Sequence, residues 1–467
     1  MVDQSPHFVP LPQWHERYQL LEDTATRARR YLDDLPDRAV PPRPEDVSAL
    51  ARLDFPLPSA GLAPGELVAM LDDVGSPATV ASAGPRYFGF VTGGAYPVAV
   101  ATSWLLSAWD QNAALSVMSP VTTMLDGVAM RWLCDIFGLP AGTEGAFVSG
   151  ATMANATCLA AARDEVLSRA GWQAGALGLV GAPQVEVVVG EEVHATVTKG
   201  LGLVGLGRER ATRLAVDGQG RIVPRDLPRL EAPAIVCLQA GNVNTGASDP
   251  FLDLVDWARS QGAWVHVDGA FGMWAAACPE LASEVSGLQG ADSWATDSHK
   301  WLNTTYDCGV ALVRDASALR AAMQANASYL PPGPDRDPMF LTPQSSQRAR
   351  GTEVWAVLAS LGRAGIAEMV ATRCALARTF ASCLSEAGFE ILNDVKLNQV
   401  LVSFGSASRT EAVIAEVQRE GTCWCGVTTW QGRRAMRVSV SNWATTEQDV
   451  RKSAHAVTRA ATSLAGN

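Results

Sequence analysis

The fold is decided by a short apolar stretch at residues 264–272, which reads WVHVDGAFG. Large and β-branched side chains in so short a run are typical of a strand that is buried on both faces, as in a parallel sheet covered by helices. The strand ends at Asp268, and a buried carboxylate is costly unless it pairs with a cation or a hydrogen-bond donor. Asp268 is therefore predicted either to contact a ligand or to cap the following loop. His266 is predicted to be a core residue.

Similar short runs lie on both sides of this strand and are separated by helix-like stretches. The strand-like runs are residues 146–149, 185–189, 234–238 and 309–313. The helix-like stretches include residues 153–167 and 252–260. Alternation of buried strands with helices predicts an α/β fold with a mostly parallel sheet, in a large domain at residues 65–330.

The rest of the chain is predicted to form two further units. Residues 1–64 are charged and interrupted by proline, which indicates an N-terminal helical arm lying on another surface. Residues 331–467 begin with a proline-rich loop, continue with a long helical stretch and end with strand–helix–strand runs. We predict a mobile loop, a connecting helix and a small C-terminal α+β domain in this region.

Composition narrows the class of protein. Of the 467 residues 48% are hydrophobic and 18% are charged, which excludes a disordered chain and favours a large buried core. The net charge of −11 argues against nucleic acid or an anionic membrane surface as a partner. Only four of the 37 Lys and Arg residues are lysines, so a lysine inside an apolar stretch is a candidate for a special role.

The sequence predicts a cytoplasmic protein. It has no apolar run close to the roughly 20 residues of a membrane span, and its N-terminus lacks the features of a secretory signal. The nine cysteines are scattered, and the one close pair, Cys423 and Cys425, has no second pair at the spacing of a zinc site. We expect free buried thiols and no bound metal.

Ligands of open α/β sheets bind at the carboxyl ends of the strands, so the residues after each strand are the candidate site. Gly150, Ala151 and Thr152 follow the first strand and open a helix. Free N–H groups and the helix dipole favour an anion such as phosphate there, although a tight turn capped by Thr152 would have the same sequence. His194 follows the second strand at the entry to another helix, where it either contacts a ligand or caps the helix.

A lysine follows another buried strand in residues 292–301, which read DSWATDSHKW. Lysine is seldom buried without a partner, and burial favours its neutral, nucleophilic amine. Lys300 is therefore predicted to be either a nucleophile toward a carbonyl group or a side chain that extends to solvent. A phosphate cradle, an aromatic histidine, a buried carboxylate and a nucleophilic lysine on one sheet match one cofactor, pyridoxal phosphate.

At these residues the chain resembles the group II pyridoxal-phosphate-dependent decarboxylases, which have the aspartate-aminotransferase fold, also called fold type I. The resemblance extends from about residue 85 to 450 and is carried by RYFGF at 86–90, SGAT at 149–152, HVDGAFG at 266–272 and HKW at 299–301. It implies α-decarboxylation of an amino acid substrate, a carboxy-lyase reaction. It also implies a homodimer with the active site at the interface.

The resemblance also implies roles for individual residues. Lys300 would form a Schiff base with the cofactor, Asp268 would keep the ring nitrogen protonated, and His194 would stack on the ring. The other residues expected to contact the cofactor are Gly150, Ala151, Thr152, Asn242, Ala270, Asp297 and His299. Arg437 is expected to bind the substrate's carboxylate or to be structural, and Phe88 to line the substrate pocket or to pack in the core.

One feature departs from the family pattern. In the aromatic decarboxylases a tyrosine on a mobile loop reprotonates the substrate carbon, and in aldehyde-forming relatives a phenylalanine replaces it. The corresponding loop here, residues 328–350, has Tyr329 at its start, Phe340 near its middle and no tyrosine between them. Oxidative aldehyde formation, transamination, carbon–carbon lysis and a non-catalytic sensor therefore stay open beside decarboxylation. The sequence does not identify the amino acid.

Overall fold

A computed structural model describes residues 14–231, 233–325 and 336–464. Its larger sheet has seven strands: β1 (Glu144–Val148), β2 (Glu186–Gly190), β3 (Thr212–Leu214), β4 (Ala234–Gln239), β5 (Trp264–Asp268), β6 (Ser293–Asp297) and β7 (Gly309–Val313). Their order is β1-β7-β6-β5-β4-β2-β3. Only β7 runs antiparallel to its neighbours, β1 and β6, so the predicted mostly parallel α/β sheet is confirmed.

Helices cover both faces of this sheet and continue into the rest of the chain. In the described ranges the α-helices are α1 (Trp14–Asp34), α2 (Pro44–Ala49), α3 (Pro64–Ala78), α4 (Pro97–Trp109), α5 (Pro120–Ile136), α6 (Ala151–Arg169), α7 (Ala174–Leu177), α8 (Ala195–Leu203), α9 (Phe251–Ser260), α10 (Ala316–Met323), α11 (Arg350–Glu386), α12 (Ala407–Glu420) and α13 (Glu447–Ser463). Short 3-10 helices lie at Leu50–Leu53, Gly272–Ala277, Ala282–Val285, Leu288–Gly290 and Pro338–Phe340.

The centre of the sheet explains why the opening stretch is so apolar. Every residue of β5 and β6 is buried, because each strand has a neighbour on both sides and side chains above and below it. The two strands are parallel, and Asp268 is level with Ala295. The carboxyl ends of β5 and β6 therefore bring Asp268 and Asp297 to the same edge of the sheet.

A second, antiparallel sheet follows near the C-terminus. It consists of β8 (Glu390–Ile391), β9 (Gln399–Ser403), β10 (Gly426–Trp430) and β11 (Arg433–Ser439), in the order β10-β11-β9-β8. Helices α12 and α13 share a hydrophobic core with β9 and β11, as the predicted small α+β domain requires. The domain boundaries at 64/65 and 330/331 stay predictions.

Helix α11 connects the two cores. Most of its buried apolar side chains from Val354 to Cys374 belong to the core of the large sheet, and those from Leu376 to Leu384 belong to the second core. A break at Gly362, whose φ is 61°, interrupts the helix within the stretch that packs on the large sheet. By length and composition α11 resembles a membrane span. Its packing between two cores accounts for that apolar composition equally well.

Candidate active site

Lys300 lies at the edge of the sheet, directly after β6. Its Nζ lies 2.9 Å from Oδ2 of Asp297, which is only 2% exposed. The same carboxylate accepts a hydrogen bond of 2.6 Å from the Ala151 N–H at the start of α6. Asp297 thus links the lysine to the beginning of the helix. Its negative charge compensates the positive charge of the Lys300 amine.

The residues predicted to bind phosphate form the start of α6. The helix begins after Gly150, and its first N–H already holds a negatively charged oxygen, that of Asp297. There is little spare space around Gly150, because a Cβ there would lie 3.3 Å from the ring of His299. Thr152 lies in the first turn and is half-buried. The donors and the helix dipole at this position fit the phosphate group of the cofactor.

Asp268 ends β5 and is 4% exposed. Its Oδ1 accepts a hydrogen bond from the Ala270 N–H at 3.2 Å, and its Oδ2 accepts one from the Thr196 hydroxyl at 3.3 Å. No cation pairs with Asp268 among the ion pairs of the described residues. A buried carboxylate that has donors but no cation fits a ligand that brings its own positive charge, such as a protonated ring nitrogen.

His194 lies beside Asp268, immediately before α8. Its Nδ1 is 2.8 Å from the Thr196 hydroxyl oxygen. Burial lowers the pKa of His194, and the nearby Asp268 carboxylate partly opposes that shift. The ring is therefore neutral near pH 7, as a flat ring that stacks on an aromatic cofactor would be.

His299 precedes the lysine and faces an aromatic residue that the sequence did not single out. Its Nδ1 accepts a hydrogen bond from the Cys308 N–H at 3.1 Å, and burial lowers its pKa. The Tyr306 ring packs on it with a centroid distance of 4.4 Å, while 58% of Tyr306 is exposed. An exposed phenol thus lies beside His299.

The predicted cofactor contact of Asn242 is less direct. Asn242 is fully buried, and its Oδ1 accepts hydrogen bonds from the N–H groups of Asn244 and Thr245 at 2.8 and 3.2 Å. Its amide nitrogen lies 3.5 Å from the Glu192 carbonyl. Asn242 therefore holds its own turn in shape, and its contact with the cofactor stays a prediction.

The proposed contact of Phe88 with substrate is wrong. Phe88 is 1% exposed and packs edge-on against Phe380, with a centroid distance of 5.3 Å, inside the second core. Its backbone explains why, since the Phe88 N–H donates to the Trp424 carbonyl and its own carbonyl accepts from the Ser439 N–H. These bonds attach residues 86–90 to the second sheet and direct Phe88 into that core.

Phe90, two residues further on, has the opposite environment. It is 65% exposed and stacks on Trp424 at a centroid distance of 5.4 Å, and Trp424 stacks on Tyr87 at 5.1 Å. Phe90 and Val91 have φ angles of 52° and 59°, a left-handed conformation that is rare for such side chains and often marks functional sites. The same turn touches Lys300, because a Cβ at Gly93 would lie 2.0 Å from the Lys300 carbonyl oxygen.

Arg437 lies on β11, between Gly426 of β10 and Leu401 of β9. Its guanidinium donates to the Val243 carbonyl at 3.4 Å, and burial lowers its pKa. Its charge acts on both His194 and Tyr87, so the guanidinium lies near these two side chains. Unlike the other arginines of this strand, Arg433 and Arg434, it has no carboxylate partner among the described residues.

Sequence reasoning missed three residues of this site, namely Thr196, Tyr306 and Trp424. Thr196 lies two positions after His194, a spacing that could have suggested a hydrogen bond at the start of a helix. Tyr306 belongs to the loop that returns from the lysine to β7. No local signal connects Trp424 with Tyr87, because more than 300 residues separate them.

The described residues include no group of three or more His, Cys, Asp or Glu side chains that could hold a metal ion. The candidate site combines Lys300 paired with Asp297, the start of α6 whose first N–H donates to Asp297, and Asp268, which has no cation partner among the described residues, at one edge of an α/β sheet. These features define a pyridoxal phosphate enzyme of fold type I. The family model named "Pyridoxal-dependent decarboxylase conserved domain" matches residues 71–406, and the chain belongs to this family.

Relatives of known function agree with this assignment. Tryptophan decarboxylase 1 of Oryza sativa subsp. japonica is 27% identical over 423 residues, which cover 82% of this chain and 81% of that protein. Phenylacetaldehyde synthase of a Rosa hybrid cultivar is 28% identical over 68% of this chain and 66% of that protein.

Solved structures confirm the fold. The crystal structure of Oryza sativa TDC with PLP and tryptamine has a TM-score of 0.89 and 22% identity, and the match covers 98% of this chain and 99% of that one. Mouse CSAD has a TM-score of 0.87 and 21% identity, with 96% and 99% covered.

Proposed function

We propose that this protein removes the α-carboxylate of an amino acid with an aromatic side chain. In this proposal Lys300 holds the cofactor, Asp268 pairs with its ring nitrogen, and Arg437 orients the substrate's carboxylate. Pyridoxal phosphate, when bound, supplies a protonated ring that accepts the electron pair of the breaking carbon–carbon bond. The residues of the chain supply binding, orientation and proton transfer.

The observation that carries the proposal is the environment of Arg437. A largely buried guanidinium normally has a carboxylate partner, because removing its charge from water is costly. Arg437 has one long hydrogen bond to a carbonyl and lies near His194, so a substrate carboxylate would supply the missing partner. A planar guanidinium binds a carboxylate through two parallel hydrogen bonds and thereby fixes its direction.

The aromatic surface beside the lysine supports an aromatic substrate. Phe90 and Trp424 present their rings at the turn that touches Lys300, and offset stacking on such rings favours a flat side chain. The named activity of the Oryza relative, tryptophan decarboxylation, points in the same direction.

The test is incubation of the holoenzyme with the proteinogenic amino acids while carbon dioxide, oxygen and aldehyde are followed together. We expect carbon dioxide from an aromatic amino acid. Arg437→Gln should raise KM about 30-fold, because the charged hydrogen bonds to the substrate carboxylate are lost, whereas the matched Arg434→Gln on the same strand should leave KM unchanged. Equal KM values in both variants, or turnover confined to acidic amino acids, would overturn the proposal.

The second candidate function is oxidative decarboxylation to an aldehyde. It is favoured by the phenylalanine at position 340 and by the relatives named phenylacetaldehyde synthase. Phe340 belongs to the 3-10 helix Pro338–Phe340, and Tyr329 lies outside the described residues. Oxygen uptake in step with carbon dioxide release distinguishes this reaction from simple decarboxylation.

We also propose that the protein is a homodimer in the cytoplasm. Large apolar side chains are exposed on and around α4 and α5, including Leu105 at 55%, Val117 at 86% and Met124 at 58%. Exposed apolar side chains in such number indicate a surface that another protein covers. All nine cysteines are free, which fits a reducing compartment. Sedimentation of an active monomer would contradict the dimer.

A further inference from the structure

Behind Asp268 a row of buried polar side chains crosses the sheet and reaches the helices above it. At its far end the Trp264 indole N–H donates to the Ser293 hydroxyl oxygen at 2.9 Å. That oxygen lies 2.9 Å from Nδ1 of His266. Trp264, Ser293 and His266 are all at least 98% buried, so water does not supply their hydrogen bonds.

The row continues from His266 to the carboxylate. His266 Nε2 lies 2.9 Å from Oδ1 of Asn155 on α6. The Asn155 amide nitrogen lies 3.1 Å from the Thr196 hydroxyl oxygen on α8, and that hydroxyl lies 3.3 Å from Oδ2 of Asp268. Four side chains, those of Ser293, His266, Asn155 and Thr196, thus connect the Trp264 indole to Asp268, the proposed partner of the cofactor's ring nitrogen.

The direction of the hydrogen bonds follows from the Asp268 end. A carboxylate only accepts, so the Thr196 hydroxyl donates its single proton to Asp268. The Thr196 oxygen must then accept from Asn155, which turns the amide nitrogen of Asn155 toward Thr196 and its carbonyl toward His266. His266 consequently donates through Nε2.

The other end of the row gives the same direction. Burial lowers the pKa of His266 to about 4, so its ring is neutral and carries one proton, which Nε2 uses. Nδ1 then accepts from the Ser293 hydroxyl, and Ser293 accepts from Trp264. An indole N–H can only donate, so Trp264 is suited to be the first member of a chain in which every hydrogen bond points toward Asp268.

His194 completes the bonding of Thr196. Its Nδ1 lies 2.8 Å from the Thr196 oxygen, which has already given its proton to Asp268. The neutral His194 ring therefore carries its proton on Nδ1 and donates to Thr196. The Thr196 oxygen then accepts two hydrogen bonds and donates one, which is the full capacity of a hydroxyl. In the other tautomer, with the proton on Nε2, Nδ1 would instead accept a hydrogen bond from the Thr196 backbone N–H, which lies 3.3 Å away. The arrangement with the proton on Nδ1 is favoured, because it leaves the Thr196 hydroxyl free to donate to the negatively charged Asp268 carboxylate.

We propose that Thr196 is a positioning residue for Asp268, at the end of a one-way chain of hydrogen bonds that begins at Trp264. The same hydroxyl sets the tautomer of His194. Its donated hydrogen bond stabilises the negative charge of Asp268 and keeps that carboxylate facing the ring nitrogen. Asn155 has a supporting role, because it makes the hydroxyl point toward Asp268. This inference rests on the proposed contact between Asp268 and the ring nitrogen.

The test uses holoenzyme reconstituted with pyridoxal phosphate labelled with 15N in the ring. 15N NMR then reports the pH at which the ring nitrogen loses its proton. In Thr196→Val, which replaces the hydroxyl by a methyl group of similar size, we expect this pH to fall by about one unit. Thr196→Ser should restore the wild-type titration. Thr198→Val removes a hydroxyl that lies on the same helix but takes no part in these hydrogen bonds, so it should not change the titration.

Asn155→Asp gives a second and independent variant. The new carboxylate only accepts, so the Thr196 hydroxyl would turn toward it and away from Asp268, and the titration should shift in the same direction as in Thr196→Val. A wild-type titration in both variants would overturn the inference. Asp268→Asn separates the two proposals, because an unchanged ring signal in that variant would refute the contact of Asp268 with the ring itself.

Discussion

Replacement of His266 by glutamine should make the folded protein less sensitive to acid. His266 is completely buried, and burial lowers its pKa from the ordinary 6.5 to about 4. In the unfolded chain the imidazole binds a proton as the pH falls through 6.5, whereas in the folded protein it stays neutral until about pH 4. The unfolded state therefore holds more protons in this window, so the free energy of unfolding decreases as the pH falls.

The magnitude follows from the two pKa values. The complete loss across the window is about 3 kcal/mol, and about 2 kcal/mol of it falls between about pH 7.5 and pH 5. Glutamine can bond to Asn155 and Ser293 but does not titrate, so the variant lacks this loss. All other titrating groups are common to both proteins and cancel in the comparison.

The assay is urea unfolding followed by tryptophan fluorescence at one protein concentration and at both pH values. We expect the wild type to lose about 2 kcal/mol more than His266→Gln on acidification, with equal slopes of free energy against urea. Parallel losses in the two proteins would mean that His266 is protonated in the folded state. The assignment of a neutral ring in the hydrogen-bonded chain would then be refuted.

Three further predictions concern the site itself. Borohydride reduction of the holoenzyme should attach the cofactor to Lys300, and peptide mapping should find the label lost in Lys300→Ala but kept in Lys452→Ala; a label on any other lysine contradicts the site. Gly89→Ala should lower kcat/KM for the aromatic substrate about tenfold, because the new Cβ would lie 2.3 Å from the Trp424 ring and displace it; an unaffected kcat/KM in steady-state kinetics would exclude Trp424 from the pocket. Tyr306→Phe should increase the ratio of aldehyde to amine among the products, measured by chromatography. The loop at residues 328–350 lacks the family's tyrosine between Tyr329 and Phe340, so the Tyr306 phenol beside His299 is the candidate proton donor; an unchanged ratio would mean that another group protonates the substrate carbon.

The sequence was sufficient for the features that depend on neighbours along the chain. The runs at 146–149, 234–238 and 309–313 are strands because buried β-branched residues in short runs leave little choice of structure. Lys300 and Asp268 could be predicted for the same reason, since each follows such a strand and the ends of parallel strands meet at one edge.

Contacts between distant segments could not be predicted in this way. Phe88 and Phe90 are both aromatic and two residues apart, which in an extended chain would place them on the same face. The turn with positive φ angles at Phe90 and Val91 breaks that alternation. As a result Phe88 enters the second core and Phe90 stays exposed beside Trp424, a difference set by the docking of residues 86–90 on a sheet formed by residues 390–439.

Asp268 and Asp297 illustrate how their surroundings give two similar carboxylates different tasks. Both end central strands of the same sheet and both are at least 96% buried. Asp297 has a cation, Lys300, and the first N–H of α6, so its charge is compensated by the protein alone. Asp268 has two hydrogen bonds and no cation among the described residues, so a ligand that carries a positive charge would complete its site. A protonated ring nitrogen satisfies that requirement, and the chain of hydrogen bonds that ends at Thr196 keeps the carboxylate ready for it.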